Sequence, residues 1–460
     1  MKRIYFVIFS LFTVLILNAQ EITGEWNGVL SVQGMKLRLV FHVAKTDAGF
    51  TATMDSPDQG AKGIAMTSAS FENSVLKLEH SAAKIVFTGT FDGKTEVNGE
   101  FVQAGMKFPM TLSRKEVVVE KPNRPQEPQA PFPYSSEAVT FKNLKDSLTL
   151  SGTFTYPKGN GKYPVVVLVS GSGPQNRDEE LMGHKPFLIL ADFLTRNGIA
   201  VLRYDDRGCF ASTGNFTKAL TQDFATDASA AIDYLKSRKE IDTKKIGIIG
   251  HSEGAMVAPI VAATRNDLSF IVLMAGPGIQ GNEILMLQSE LISRANGVPE
   301  SDISTAKEIN SAIYSTILKV QDTDSLIIAI RKIMLEKMPQ NADSKAGGEA
   351  MIDGQMKQIT SPWMLNFIRY NPTPTLEKVK CRVLALNGSL DLQVPADVNL
   401  QAIGKALTKG GNKNFTTKKL EGLNHLFQEC KTGSPAEYAA IEQTLSPILL
   451  NEILDWIKAR

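Results

Sequence analysis

One stretch of the sequence, Ile246-Gly247-Ile248-Ile249-Gly250-His251-Ser252-Glu253-Gly254, decides the fold. An apolar run of strand length leads directly into Gly-x-Ser-x-Gly, and residues 255–263, which follow, are rich in helix formers. Strand, tight turn, serine and helix in this order are typical of a nucleophile elbow. The turn crowds the backbone, so only very small residues fit where the two flanking glycines stand. It lifts the Ser252 hydroxyl out of the sheet, beside the first N–H groups of the helix, where negative charge is stabilised.

Short apolar strands recur on both sides of this stretch and alternate with helices. A continuous apolar run of this kind is typical of a strand that is buried on both faces. Helices are predicted over 187–196 and 223–238, and a hairpin over 138–156 precedes the first parallel strand. The remaining strands are predicted at 164–169, 199–204, 270–275, 382–387 and 415–420. Repeated strand–helix units predict a mostly parallel, doubly wound sheet.

Residues 280–372 break this alternation. They are helix-prone and rich in Met, Leu and Ile, and they contain no clear strand. An insertion between two strands of such a sheet emerges at the carboxyl ends of the strands, on the side of Ser252. We therefore predict a helical cap over this edge. Trp363, close to the return of the chain to the sheet, is a candidate wall of a substrate pocket.

The chain before the sheet has a different character. Residues 20–115 contain short alternating runs separated by Gly, Asp and Asn, which predict a small antiparallel all-β domain, either a sandwich or a barrel. Five prolines among charged and amide residues at 116–135 predict an extended linker, which few contacts should cross. The α/β domain is then expected over 136–460.

Residues 1–19 have the features of an export signal. Lys2 and Arg3 precede an apolar run that is short for a membrane span, and Ala19 offers a small residue at a cleavage site. We expect the mature protein in the periplasm or outside the cell, with no integral membrane segment after cleavage.

The composition bears on partners and cofactors. The balance of 50 Lys+Arg against 48 Asp+Glu gives no field that would attract nucleic acid. Cys209, Cys381 and Cys430 are too few and too scattered for a disulfide framework or a zinc site, so we expect free, mostly buried thiols. The sequence calls for no metal and no cofactor, and a small molecule is the expected substrate.

A serine nucleophile needs an imidazole base and a carboxylate that orients the base. His425 is the predicted base. It follows the last predicted strand, and serine, acid and histidine in this chain order are typical of a nucleophile-elbow hydrolase. His251 lies on the elbow itself and is expected to pack rather than react. Asp391, in a glycine turn after the strand at 382–387, is the predicted acid. Asp397 follows a proline and is expected to cap a helix or lie on the surface.

An oxyanion hole uses the N–H of the residue after the nucleophile and a second N–H from the loop after the first long buried strand. The N–H after the nucleophile is that of Glu253. The loop is Ser170-Gly171-Ser172-Gly173, and we favour the N–H of Ser172, with Gly173 as the alternative. No Lys-Ser/Thr pair follows the second glycine, which excludes a phosphate-binding P-loop.

Several charged residues stand close to this loop in the sequence. Arg177 and Asp178 are expected either to line the pocket or to pair with each other. His184, just before a helix, is interpreted as a structural or pocket-lining residue. Asp205-Asp206-Arg207-Gly208 closes a strand and is interpreted as a structural ion-pair turn.

These motifs together resemble those of a known group, the bacterial EstD-type carboxylesterases of the α/β-hydrolase superfamily, which are close to serine aminopeptidase-like hydrolases. The likeness covers roughly residues 138–460 and rests on five motifs in the same order. They are Ser170–Asp178, Arg203–Gly208, Gly250–Gly254, Ser361-Pro362-Trp363 and Asn424-His425. It implies a serine carboxylic-ester hydrolase with a helical cap. The chain departs from the group at Cys209 and Phe210, where a smaller, glycine-containing turn is usual. Phe210 is therefore expected to narrow or re-aim this loop and so to change the shape of the pocket, but not the triad.

The leading hypothesis is therefore an exported, metal-free serine esterase with Ser252, His425 and Asp391 as its triad. A peptidase or amidase with the same triad is the alternative, although no carboxylate can be assigned from sequence to hold a substrate amine. A protein of another class, in which the β domain binds a ligand and the hydrolase fold is inert, remains a further alternative.

Overall fold

The computed structural model describes residues 22–32, 35–59, 61–103, 106–117, 123–337 and 345–459. The predicted export signal, 1–19, lies outside these residues. The chain divides into two compact units, which hold Lys36–Glu120 and Lys121–Arg460 respectively. None of the helices in the described part is long and apolar enough to cross a membrane.

The first unit is a closed antiparallel barrel, which decides between the two predicted all-β forms. Its strands run in the order β2-β1-β9-β8-β7-β6-β5-β3, pairing of β2 with β3 closes the ring, and β4 adds to β3. Alternate side chains point inward, as the period of two requires, and Trp26, Phe41, Phe87 and Phe101 fill the interior. The strands are β1 (Gly24–Val32), β2 (Met35–Thr46), β3 (Gly49–Ser56), β4 (Ala61–Ala65), β5 (Ser68–Glu72), β6 (Val75–His80), β7 (Ile85–Phe91), β8 (Glu96–Gln103) and β9 (Met106–Ser113).

The second unit is built on a mixed sheet of the order β10-β11-β13-β12-β14-β15-β16-β17. The first two strands form the predicted hairpin, β11 is antiparallel to β13, and all later pairs are parallel. The strands are β10 (Tyr134–Asn143), β11 (Leu148–Pro157), β12 (Tyr163–Val169), β13 (Ala200–Tyr204), β14 (Ile241–His251), β15 (Phe270–Met274), β16 (Arg382–Gly388) and β17 (Phe415–Leu420). The predicted α/β-hydrolase fold class is confirmed.

Helices cover both faces of this sheet. One apolar core joins the sheet to α2, α3 and α10, and a second core, on the other face, joins it to α1 and α11. The helices outside the insertion are α1 (Pro186–Arg196), α2 (Thr221–Lys236), α3 (Gly254–Thr264), α9 (Thr373–Leu376), α10 (Ala396–Lys409) and α11 (Pro447–Lys458). The central parallel strands are therefore buried on both faces, which is why they read as unbroken apolar runs.

Six helices of the described chain lie between β15 and β16, and we call the first five, α4 to α8, the helical insertion. Ile313, Ile317, Ile330, Met356 and Ile368 are buried in an apolar core of its own. The helices are α4 (Gly281–Ala295), α5 (Glu300–Lys319), α6 (Thr323–Lys337), α7 (Lys345–Ile359) and α8 (Pro362–Arg369).

The segment just before β10 is bound to the second unit rather than extended away from it. The Arg124 guanidinium donates to four backbone carbonyls, those of residues 182, 183, 439 and 441. Gln126 donates to the Leu445 carbonyl and accepts from the Thr444 and Leu445 N–H groups. The sequence predicts a linker over 116–135, but residues 123–134 belong to the second unit. Composition misses this because the contacts are made to backbone carbonyls, which leave no sequence pattern.

Candidate active site

The serine motif has the geometry of an elbow. Strand β14 ends at His251, helix α3 begins at Gly254, and Ser252 between them has φ +51°. A non-glycine residue with positive φ is strained, and the Ser252 N–H holds the turn by donating to the Met274 carbonyl at 2.8 Å. A Cβ atom on Gly250 would lie 2.0 Å from the Gly254 carbonyl oxygen, so the close approach of the backbone requires glycine.

Three side chains from three loops form a hydrogen-bonded chain at this elbow. His425 Nε2 lies 3.2 Å from Ser252 Oγ, and His425 Nδ1 lies 2.9 Å from Asp391 Oδ2. The other Asp391 oxygen accepts from the N–H groups of Gln393 and Val394, at 2.9 and 2.8 Å. The carboxylate is therefore fixed on one side by the backbone and on the other by the imidazole. This is the arrangement in which a carboxylate selects the tautomer that leaves Nε2 free to accept a proton.

Asp397, the nearby carboxylate, lies elsewhere. It is exposed in the first turn of α10 and pairs with Lys419 at 2.9 Å.

His251 is held behind the triad by a buried glutamate. Its Nδ1 lies 2.9 Å from Glu179 Oε1 and its Nε2 lies 3.0 Å from the His425 carbonyl oxygen. Burial opposes the charged imidazolium, but the Glu179 carboxylate and these hydrogen bonds outweigh it, so the pKa of His251 is raised. Both partners are acceptors, which favours the doubly protonated ring. His251 thus fixes the backbone that carries the base, a positioning role that agrees with its predicted packing.

Glu179 also fixes the loop after β12, and sequence reasoning missed it. Its Oε1 accepts from the Gly171 N–H at 2.7 Å. Gly171 stands beside the nucleophile, since a Cβ atom built on it would lie 3.2 Å from Ser252 Cβ. Within the described residues, the N–H groups of Ser172, Gly173 and Glu253 donate to no protein acceptor. These three are the N–H groups that the sequence predicts for an oxyanion hole.

Asp206 also holds the loop after β12 by hydrogen bonds. Its two oxygens accept from Ser170 Oγ at 2.9 Å and from the Gln175 N–H at 3.1 Å. Burial raises the pKa of Asp206 to about 8, against these hydrogen bonds and with the help of the nearby Glu253 and Glu179 carboxyls. The aspartate of the predicted ion-pair turn is therefore a neutral support of the loop at pH 7.

Ion pairs are formed by the other two charged residues of the turn at 205–208, Asp205 and Arg207. Arg177 Nη2 lies 2.6 Å from Asp205 Oδ2, and Arg207 Nε lies 2.7 Å from Asp227 Oδ2. The sequence offers two roles for Arg177, lining the pocket or pairing with Asp178, and both are wrong. Arg177 is paired with Asp205 and does not contribute to the cleft at Ser252. Asp178 pairs instead with Arg203, at 2.7 Å.

Phe210 and Trp363 are likewise not walls of this cleft. The Phe210 ring is 72% exposed, and its residue has φ +49°, so it turns to solvent instead of narrowing the pocket. Trp363 donates its indole N–H to Glu253 Oε1 at 2.8 Å, and its ring stacks on Phe367. Thr221 Oγ1 donates to the same oxygen at 2.7 Å. Burial raises the pKa of Glu253, whose carboxyl ties the helical insertion to the elbow.

A small cleft of about 90 Å³ opens above Ser252. Its walls include Ser172, Leu181, His184, Gln393 and Leu426. His184 is the one predicted pocket residue that lines it. Its ring nitrogens lie 2.8 Å from Thr444 Oγ1 and 2.9 Å from the Tyr438 carbonyl oxygen. Burial lowers the pKa of His184 to about 4, so the ring is neutral at pH 7.

Among the described residues, no group of three or more His, Cys, Asp or Glu side chains is arranged to hold a metal ion. Cys209, Cys381 and Cys430 are unpaired, the first buried and the other two partly buried. Burial raises the pKa of each thiol to about 11, so none is a thiolate nucleophile at neutral pH.

Known proteins are similar to this chain over parts of its length. A family model described as X-Pro dipeptidyl-peptidase (S15 family) matches residues 146–403. Esterase EstD of Thermotoga maritima is 38% identical over 136 residues, which are 30% of this chain and 32% of EstD. The match thus spans about a third of EstD. An acyl transferase of Photobacterium leiognathi is 27% identical over 210 residues, 45% of this chain and 64% of its own.

Solved structures with a similar fold include hydrolases. An esterase of Pyrococcus furiosus is 16% identical, with a TM-score of 0.43, and the superposition covers 74% of this chain and 97% of the esterase. A proline iminopeptidase of Mycobacterium smegmatis is 14% identical, with a TM-score of 0.42, over 70% of this chain and 98% of its own.

Proposed function

The chain belongs to the X-Pro dipeptidyl-peptidase (S15) family, and from this premise we propose that it is a serine hydrolase that cleaves carboxylic esters. One observation carries the proposal. The Ser252 hydroxyl stands on a strained elbow at hydrogen-bond distance from His425, whose second nitrogen is held by Asp391. Within the part of the chain that the structure describes, the residue after the serine and the neighbouring loop carry N–H groups that have no protein acceptor.

The geometry supports a two-step acyl transfer. Ser252 Oγ attacks the ester carbonyl carbon while His425 Nε2 takes the hydroxyl proton, and Asp391 stabilises the resulting imidazolium. The carbonyl oxygen becomes an oxyanion, which accepts from the N–H of Glu253 and from that of Ser172 or its neighbour Gly173. The C–O bond to the alcohol breaks, His425 returns the proton to the alcohol, and an acyl-serine remains. Water then repeats the sequence and releases the acid.

Ester cleavage is favoured over peptide cleavage by the charges around Ser252. A peptidase that reads a free N-terminus must hold the substrate ammonium, and a buried ammonium without a carboxylate is strongly disfavoured. Among the described residues that line the cleft, Glu179 has the only carboxylate. It is occupied by His251 and by the Gly171 N–H. The family match keeps a dipeptidyl-peptidase as the second candidate, because the family is named for that activity.

A panel of chromogenic substrates separates the two candidates. We expect p-nitrophenyl acetate and butyrate to be hydrolysed, with kcat/KM at least about 100-fold above that for aminoacyl and X-Pro p-nitroanilides. Ser252→Ala protein is the matched blank for both substrate classes. The reverse order, with X-Pro anilides as the better substrates, would replace the esterase proposal by the peptidase.

Export is proposed on the N-terminal sequence alone. Basic residues, a short apolar run and Ala19 motivate it. Intact-mass measurement of the protein from a periplasmic extract should give a chain that begins at Gln20. A cytosolic product that retains residues 1–19 would contradict export.

A further inference from the structure

A second cavity, larger than the cleft at Ser252, is lined by the helices of the helical insertion. It has a volume of about 600 Å³, against about 90 Å³ for the cleft. We call it the insertion chamber. Cavities of roughly 300–1,000 Å³ are the usual size for small-molecule sites. The cleft itself has room for only a few water molecules, or for one small acyl group.

A hydrogen bond joins the linings of the two cavities. Gln288, on α4, donates from Nε2 to Gln393 Oε1 at 3.1 Å. Gln288 lines the insertion chamber, and Gln393 lines the cleft, two residues after Asp391 in the sequence. The linings of the two cavities therefore meet at this pair of amides, next to the turn that carries Asp391.

The polar lining of the insertion chamber is uncharged. Besides apolar side chains from α4 to α8, it contains Gln288, Ser289, Ser293, Asn310, Tyr314, Gln355 and Gln358. No charged side chain is among the described residues that line it. Within the described part, the side chains of Ser289, Ser293, Asn310, Gln355 and Gln358 hydrogen bond to no other protein group. Their donors and acceptors are thus available to a ligand.

This lining selects against charge and against a purely alkyl group. A cation or an anion would lose water without gaining an opposite charge. An alkyl chain would bury these amides and hydroxyls without partners. Hydroxyl groups, which both donate and accept, match side-chain amides and serine hydroxyls.

Resting on the esterase proposal above, we propose that the substrate is a short-acyl ester of an uncharged polyhydroxylated alcohol, such as an acetylated neutral sugar. The acyl group occupies the cleft at Ser252, and the sugar occupies the insertion chamber.

The test keeps the acetyl group constant and varies the alcohol. The substrates are methyl 6-O-acetylglucoside, octyl acetate, acetylcholine and an O-acetylseryl peptide with blocked termini, with acetate release as the readout. We expect kcat/KM for the sugar ester to exceed each of the others by about tenfold or more. Preference for octyl acetate, acetylcholine or the peptide, or equal rates, would overturn the inference and leave the esterase proposal standing.

Two variants test whether the preference for the sugar ester arises in the insertion chamber. Asn310→Leu keeps the side-chain size but removes the amide, and we expect it to lower the preference for the sugar ester over octyl acetate about tenfold, the value of one or two hydrogen bonds. Gln321→Leu, at an exposed position outside the lining, is the control and should keep the ratio. An unchanged ratio in folded Asn310→Leu protein would refute the assignment of the chamber.

A binding measurement separates this inference from the esterase proposal. Ser252→Ala protein should bind methyl 6-O-acetylglucoside in a calorimetric titration, and the Ser252→Ala/Asn310→Leu protein should bind it about tenfold more weakly. If wild-type protein cleaves no ester, the esterase proposal fails, and this titration alone decides whether the chamber holds a neutral sugar. Absence of binding would refute the inference.

Discussion

Arg124 holds together two loops of the second unit, and Arg124→Ala is expected to loosen both. The guanidinium donates to the carbonyl oxygens of Gly183 at 3.0 Å, Ile441 at 2.8 Å, Ala439 at 2.9 Å and Met182 at 3.3 Å. Alanine removes these four hydrogen bonds at once.

The expected loss of stability follows from these bonds. A hydrogen bond contributes about 0.5–1.5 kcal/mol net, so four contribute about 2–6 kcal/mol. The site is partly open to water, which can replace the lost donors, so we expect the lower end, about 2–3 kcal/mol in the free energy of unfolding.

Loss of Arg124 should also affect the cleft. Ala439 follows Tyr438, whose carbonyl accepts from His184, a residue of the cleft wall. We therefore expect KM for p-nitrophenyl acetate to rise several-fold, with a smaller change in kcat because the triad itself is untouched.

Urea unfolding and steady-state kinetics measure both effects. Arg196→Ala is the matched control. It removes an arginine whose partly exposed ion pair with Asp192 is of the kind that contributes about 0–1 kcal/mol, and whose guanidinium lies 5.9 Å from the Tyr134 ring centroid. If Arg124→Ala costs no more than Arg196→Ala, the segment before β10 does not stabilise the second unit, and the reasoning is wrong.

Three further predictions follow from the site. Asp391→Asn should lower kcat about 10⁴-fold, because an amide misorients the imidazole; p-nitrophenyl acetate turnover that stays above a tenth of wild type would place the acid elsewhere. In the folded chain the pKa of Asp206 is raised to about 8, whereas in the unfolded chain this carboxyl ionises near pH 3.8. Between these two pH values only the unfolded chain loses the proton. The contribution of Asp206 to the free energy of unfolding is therefore fully present below about pH 4 and is lost as the pH rises to 8. Asp206→Asn should therefore lose less Tm between pH 4 and 8 than wild type, and equal losses would contradict the raised pKa. Trp363→Phe removes one donor to Glu253 and should cost about 1 kcal/mol of stability in urea. The variant should leave the dependence of kcat/KM on the acyl-chain length of p-nitrophenyl esters unchanged. A change in this dependence would show that Trp363 does line the acyl pocket.

The features that could be predicted from sequence are those carried by local pattern. The elbow at Ser252 is a strand, a turn and a helix in succession, and each leaves its own signal within a few residues. Asp391 and His425 could be placed because both follow strands, and the carboxyl ends of parallel strands meet at one edge. The doubly wound sheet follows in the same way from its alternating elements.

The features that could not be predicted depend on contacts between distant segments. Glu179 pairs with His251 across 72 positions of the chain, and nothing in its own neighbourhood marks it. Arg177 and Trp363 were misplaced for the same reason. Arg177 forms an ion pair with Asp205, and Trp363 donates its indole N–H to the buried Glu253 carboxyl. A buried indole N–H needs an acceptor, but only the packed fold shows which one.

The most direct test of the proposed serine-hydrolase triad is covalent labelling by a fluorophosphonate, which reacts with a serine only when an adjacent base activates it. Wild-type protein should be labelled once per chain, at Ser252 by peptide mapping, and the label should be absent in Ser252→Ala. His425→Ala, folded but without the base, should label many times more slowly. A wild-type protein that is folded yet unlabelled, or a label that persists in Ser252→Ala, would contradict the proposed triad.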